Sequence, residues 1–323
     1  MKFILKTTPV ALYFSAFVML LMHVVMYTAK DRGNYLRHFS DPFNNRLEPL
    51  FQWYMWFLDI FLTPHVAIML TCTFIYLLFY KVWSNFRIGS YLLFFLFFNV
   101  VAFGVFNYYL GTSIRMGLAI AVGLYSAIKI LEGVKSAWIG LILSPLLHYG
   151  LVLFLVYFIW YSLTKSKGTR FHCLVSVATF VFLVFLFDRL LSLLGLNSYY
   201  MMYFTEGFGQ TERLIPFTVL YFFMSFIAIS LFLTNNLRRT IPKFDFLYLS
   251  ALYALPIVIY QLVSGIAIFS KMLMPQFFLL SILLAYVFDR RFYHGNARYF
   301  YVVLFFAANI IAILYALRMY QFI

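Results

Sequence analysis

The sequence predicts an all-α polytopic membrane protein with about nine to eleven transmembrane helices, one of them a candidate re-entrant hairpin. Three observations carry that expectation. Hydrophobic residues fill 65% of the 323 positions and charged residues only 11%, with a mean hydropathy of +0.92. A soluble domain sits nearer half apolar and roughly a quarter charged. Apolar runs of spanning length recur along the chain, Phe- and Leu-dominated and continuous. A transmembrane barrel would show short alternating segments instead. Finally, most cations gather on one set of loops and most acids on the other, where both signs meet, as the positive-inside rule leads one to expect.

Taken in order, Lys2 and Lys6 precede the first apolar run, 10–29. It is long enough to span, and no small-residue cleavage site follows, so it reads as a retained helix with a cytoplasmic amino terminus. Further spanning runs are 64–80, 88–107, 111–131, 171–194, 214–234, 246–264, 272–288 and 299–317. Each covers a hydrocarbon core of ~30 Å at ~1.5 Å per residue. No hydrophilic stretch is long enough for a globular domain, so 1–323 form a single integral membrane domain. Its longest polar segments are about 30–63 and 195–213.

The run 136–163 contains Pro145 and His148 and can be read in two ways. As a single crossing it puts Lys165, Lys167, Arg170 and every later basic loop outside. If it turns back near 145–150, those loops become cytoplasmic, which the positive-inside rule favours. Lys81, Arg87, Lys129, Lys135, Arg238, Arg239, Lys243, Arg290, Arg291 and Arg298 then share the inner side, and most acids lie outside. The net charge of +14 follows from that topology. The cations form no basic stripe on a soluble face, which argues against nucleic acid. Cys72 and Cys173 both sit in apolar runs and read as packing residues.

Chemistry-bearing residues gather on the outer side. The first polar segment holds Asp31, Tyr35 and Glu48, the last just before Pro49. From there Leu50, Trp53, Tyr54, Phe57, Leu58 and Phe61 recur at helical spacing, predicting an amphipathic helix in the outer interface with Pro49 in its first turn. Glu48 at its amino-terminal end is either a plain cap or a functional carboxylate. Farther on, Gly111-Thr112-Ser113 reads as a helix start with Arg115 in the first turn. A cation there opposes the helix dipole by up to ~1 kcal/mol unless something compensates, and an anionic ligand at the helix mouth would do so. Snorkelling to the interface is the plainer account of any single cation. His148 lies ~18 Å along its run, past the midplane of a ~30 Å hydrocarbon core, where an ionisable residue is a functional candidate, with a structural histidine as the alternative. Glu206, Glu212 and Arg213 cluster at one further outer helix mouth, and Lys271 opens another. No Walker loop, HExxH or Cys/His metal constellation occurs, so neither a metal nor another cofactor is expected. Energy must arrive in the substrate or from a gradient.

The order Asp31…Tyr35, Glu48-Pro49-Leu50-Phe51, then Gly111-Thr112-Ser113-Ile114-Arg115-Met116-Gly117-Leu118-Ala119, then His148 resembles the EpsG/Wzy-type oligosaccharide polymerases. That family usually reads Arg-Gln-Gly-Leu-Ala where Met116 replaces the Gln here. It commonly has Arg where Lys271 stands, which keeps the charge and loses the bidentate fork. The resemblance implies a GT-C-like glycosyltransferase of the bacterial inner membrane, with the lipid bilayer and an undecaprenyl-pyrophosphate-linked oligosaccharide as partners. A chain-length regulator and a flippase are further implied partners. Growing chain would pass from its carrier to a hydroxyl of a new unit, undecaprenyl pyrophosphate leaving. Arg115, Arg213 and Lys271 would hold the pyrophosphate, and His148, backed by Glu48 and Asp31, would act as base. Tyr35 and Glu212 would bind sugar. Two other classes share the feature set: a lipid-linked oligosaccharide flippase or transporter, which would usually show internal repeats, and a membrane O-acyltransferase.

Overall fold

The computed structural model describes residues 32–43, 48–86, 114–186, 243–264 and most of 273–283. The expected spans 10–29, 88–107, 214–234 and 299–317 lie outside the described residues. Among those described, the elements in chain order are α1 (Arg32–Ser40), α2 (Pro49–Asp59), α3 (Pro64–Ser84), α4 (Ile114–Leu131), α5 (Ala137–Leu147), a 3-10 turn (Tyr149–Leu151), α6 (Val152–Thr164), α7 (Thr169–Phe185) and α8 (Phe244–Ser264). The chain falls into two units, Met1–Leu155 with Phe288–Ile323, and Val156–Val287.

In the first unit, α2 and α3 each open on a proline, preceded by Glu48 and Thr63 in extended conformation. Proline lacks the N–H that the first helical position leaves unbonded anyway. α3 and α4 are long and apolar enough to cross a membrane, and the shorter helices α5, α7 and α8 are also apolar. These helices point to a helical membrane protein. α4 ends in a glycine cap. Gly133 sits at φ +90°, its N–H bonds Ile130 O at 2.9 Å, and Val134 N–H bonds Lys129 O at 3.0 Å. Only glycine adopts that conformation without strain, and it turns the chain sharply into α5.

α4 and α5 pack along small residues. A Cβ on Gly123 would lie 3.1 Å from Ser144 Oγ, and one on Gly140 would collide with Ser126 Oγ. These two contacts set an antiparallel register, with Ser144 level with Gly123 and Gly140 level with Ser126. Pro145 lies inside α5 and offers no N–H to the carbonyl of Leu141. The Ser144 hydroxyl donates to that carbonyl at 2.8 Å. The expected run 136–163 therefore is not one straight helix. α5 stops at Leu147, His148 is extended (φ −160°, ψ 119°), and a 3-10 turn follows. Continued straight, Leu151 would lie ~10 Å beyond Ser144. Its side chain instead reaches the same Gly123, 3.6 Å from the Cβ position, so the chain bends back at the expected 145–150.

α2 keeps most of its aromatic stripe off the protein core. Phe51 and Met55 are the fully buried residues, and Trp53, Trp56, Phe57 and Phe61 are exposed. The Tyr54 hydroxyl meets Thr71 Oγ1 at 2.7 Å, and Thr71 donates to Ala67 O at 2.7 Å, so Tyr54 is the donor of the first bond. Burial holds the Tyr54 phenol above its ordinary pKa, with the Thr71 bond opposing. This bond ties α2 to α3.

In the second unit, α7 packs on α8. The Ser176 hydroxyl donates to Leu252 O at 3.0 Å, the carbonyl that Pro256 leaves without an N–H. Trp160 Nε1 donates to the Tyr253 hydroxyl at 2.9 Å, and that hydroxyl lies 2.8 Å from His172 Nδ1. Tyr157, Phe158, Tyr161 and Phe246 form an aromatic cluster, and the Tyr157 hydroxyl donates to Phe246 O at 3.1 Å.

Candidate functional site

Arg115 lies in α4, and the expected Gly111–Ser113 helix start lies outside the described residues. Its Nη1 donates to Glu48 Oε2 at 2.7 Å, a bond between residues 67 apart in sequence. The Tyr35 phenol also hydrogen-bonds the guanidinium. Glu48 is 8% exposed at its side chain and Arg115 27%, and Tyr35 on α1 is buried. Three candidates from separate segments thus meet at one helix mouth.

Two readings change here. Glu48 caps α2 by position, yet its side chain makes no cap hydrogen bond, so the plain-cap alternative fails. The charge that offsets Arg115 against the α4 dipole is the protein's own carboxylate. The expected ligand is not needed for that purpose. The pair uses one nitrogen and one oxygen, and Arg115 Nε is buried with no hydrogen-bond partner. Met116, at the departure from the Gln of the resembling family, is buried among apolar neighbours.

A model of the EpsG family matches residues 10–323. This chain belongs to the EpsG family. The family is linked to membrane proteins of exopolysaccharide biosynthesis. No curated protein and no solved structure matches this EpsG chain.

His148 of the EpsG chain is not inside a helix. It terminates α5, and its Nδ1 accepts the Gly150 N–H at 3.0 Å. A neutral imidazole accepting at Nδ1 carries its proton on Nε2. In this geometry the Nδ1 lone pair is engaged. Gly150 is the residue that sequence reasoning missed. A Cβ there would come 2.9 Å from His148 Nδ1, so only glycine leaves room for the ring. The signal was the His-Tyr-Gly triplet following Pro145. By the α4–α5 register, His148 is level with about Ala119, one turn or ~6 Å along the axis from Arg115. Asp31, Glu212, Arg213 and Lys271 lie outside the described residues.

At the other end of α4, Lys129 pairs with Glu132 at 2.8 Å, close to Lys135. One end of the helix pair thus holds the lysines and the other holds Tyr35, Glu48, Arg115 and His148. Such a cluster can bind an anion through Arg115 and accept a proton or a hydroxyl hydrogen bond at Glu48.

Proposed function

We propose that this EpsG protein is a membrane-embedded glycosyltransferase that joins oligosaccharide repeat units carried on undecaprenyl pyrophosphate. The observation that carries this reading is the Tyr35–Glu48–Arg115 cluster at the amino-terminal mouth of α4. Family membership in polysaccharide biosynthesis supports it. The positive-inside rule puts the lysine end of α4 in the cytoplasm and the cluster at the outer leaflet. The run 136–163 then re-enters, and its bend at His148 supports that topology.

In the reaction, an acceptor hydroxyl attacks the anomeric carbon of the donor chain. The carbon–oxygen bond to pyrophosphate breaks, and the electron pair leaves with the pyrophosphate. Arg115, with Arg213 and Lys271, stabilises the charge that builds on the leaving group. The His148 Nδ1 lone pair is engaged by the Gly150 N–H. The base role therefore passes to Glu48, with Asp31 behind it, and Tyr35 and Glu212 position sugar hydroxyls. Nothing in this scheme draws on a nucleotide or a metal.

The test uses purified protein in nanodiscs with an undecaprenyl-pyrophosphate oligosaccharide, products being resolved on a gel. Wild type should give a ladder, and Arg115→Ala should abolish it. A folded wild type that makes no ladder but carries lipid-linked sugar across a sealed bilayer would overturn the enzyme reading in favour of a transporter.

A further inference from the structure

Glu48 occupies the place where a diphosphate would have to bind. Resting on the reading of this cluster as the pyrophosphate site, we propose that Arg115 exchanges partners during the reaction. The donor's diphosphate takes the guanidinium from Glu48, and the released carboxylate turns to the acceptor hydroxyl. Acceptor engagement is then ordered after donor binding.

Three features support the exchange. First, the resting pair is singly bonded, Nη1 to Oε2, and leaves Nε buried without a partner. A carboxylate held for structure alone gains most from the two-pronged fork, whereas a phosphate oxygen pair can fill the fork that Glu48 leaves half used. Second, the two anions cannot share the cation. Glu48 is buried to 6% exposure, and a diphosphate beside it would set like charges together out of water. Third, the release leaves α2 intact. The Glu48 side chain makes no cap bond, and Pro49 at the first position has no N–H to satisfy.

The proton balance closes without any other reactant. The acceptor O–H proton passes to the Glu48 carboxylate as the acceptor oxygen bonds the anomeric carbon. The electron pair of the broken bond departs on the diphosphate held by Arg115. Once the product has moved on, Glu48 gives its proton to water and returns to Arg115.

The experiment measures binding of undecaprenyl pyrophosphate to full-length protein in nanodiscs, with undecaprenyl phosphate as control. Glu48→Gln removes the competing charge and should bind the diphosphate lipid about tenfold more tightly than wild type while making no ladder. Arg115→Ala should lose binding. Equal or weaker binding by Glu48→Gln, with Arg115→Ala still defective, would overturn the exchange and leave the pyrophosphate site standing. Undiminished binding by Arg115→Ala would instead remove the site itself. Infrared difference spectra of wild type supply a readout that needs no folded Gln variant. Adding undecaprenyl pyrophosphate should shift a carboxylate stretch, and Glu48→Asp should move that band. No carboxylate shift would also overturn the proposal.

Discussion

Removing either partner of the Glu48–Arg115 pair should destabilise the fold, but by unequal amounts. The pair joins α4 to the start of α2, so its loss is felt between two elements. Arg115→Ala strands a carboxylate whose side chain is only 8% exposed. Leaving a buried charge without its partner costs about 3–5 kcal/mol. Glu48→Ala strands a guanidinium that is 27% exposed on a flexible stem, and such a group can turn towards water. That loss is nearer the ~1.5–3 kcal/mol of one charged hydrogen bond. Replacing both together, by Glu48→Leu and Arg115→Met, removes both stranded charges and should cost less than Arg115→Ala alone. SDS titration of detergent-solubilised protein, followed by tryptophan fluorescence, measures wild type and the three variants. Equal losses from the two alanine variants, or a double variant that costs the sum of the singles, would refute the reasoning.

Other predictions concern the scaffold. Gly140→Ala should cost about 1–3 kcal/mol by overpacking against Ser126 Oγ, and adding Ser126→Ala should recover most of it, because the Ser126 Cβ lies at an ordinary 3.5 Å. The same titration reads both. Gly150→Ala should push the imidazole from its seat and reduce ladder formation as far as His148→Ala does, with little change in diphosphate-lipid binding at Arg115. Ser144→Ala should cost about 1–3 kcal/mol by orphaning the Leu141 carbonyl, and a second change, Pro145→Ala, should restore stability by supplying the missing N–H. Lys129→Ala should cost under about 0.5 kcal/mol, since its pairing with Glu132 is partly exposed and only three residues away.

Much of the scaffold was legible because it depends on local rules. Pro49 and Pro64 start helices where their missing N–H is harmless, and α4 ends at the expected Leu131. That Arg115 lies in a helix followed from the apolar run that holds it. Its pairing with Glu48 did not, because nothing local links residues 67 apart, and an external anion satisfied the same electrostatic argument. The apolar stripe of α2 obeys a different rule. In water the apolar stripe turns inward, but in a bilayer lipid is as apolar as leucine, so the pattern does not tell protein from membrane. Phe51 and Met55 went inward while Trp53 and Phe57 stayed outside. The turn at 145–150 followed from the loop charges, but the seat of the His148 ring against Gly150 did not.

The two proline-bearing helices differ in how each could enter a bilayer during synthesis. In α5 the carbonyl opened by Pro145 is closed by the neighbouring Ser144, so the segment carries its own remedy. It can leave the translocon alone, with no naked polar group facing hydrocarbon. In α8 the carbonyl opened by Pro256, that of Leu252, waits for Ser176, which is made 76 residues earlier on α7. An unmet carbonyl in lipid costs several kcal/mol. Lateral release of α8 is therefore favoured only when α7 is already beside the exit, and an order of assembly is written into a single hydroxyl.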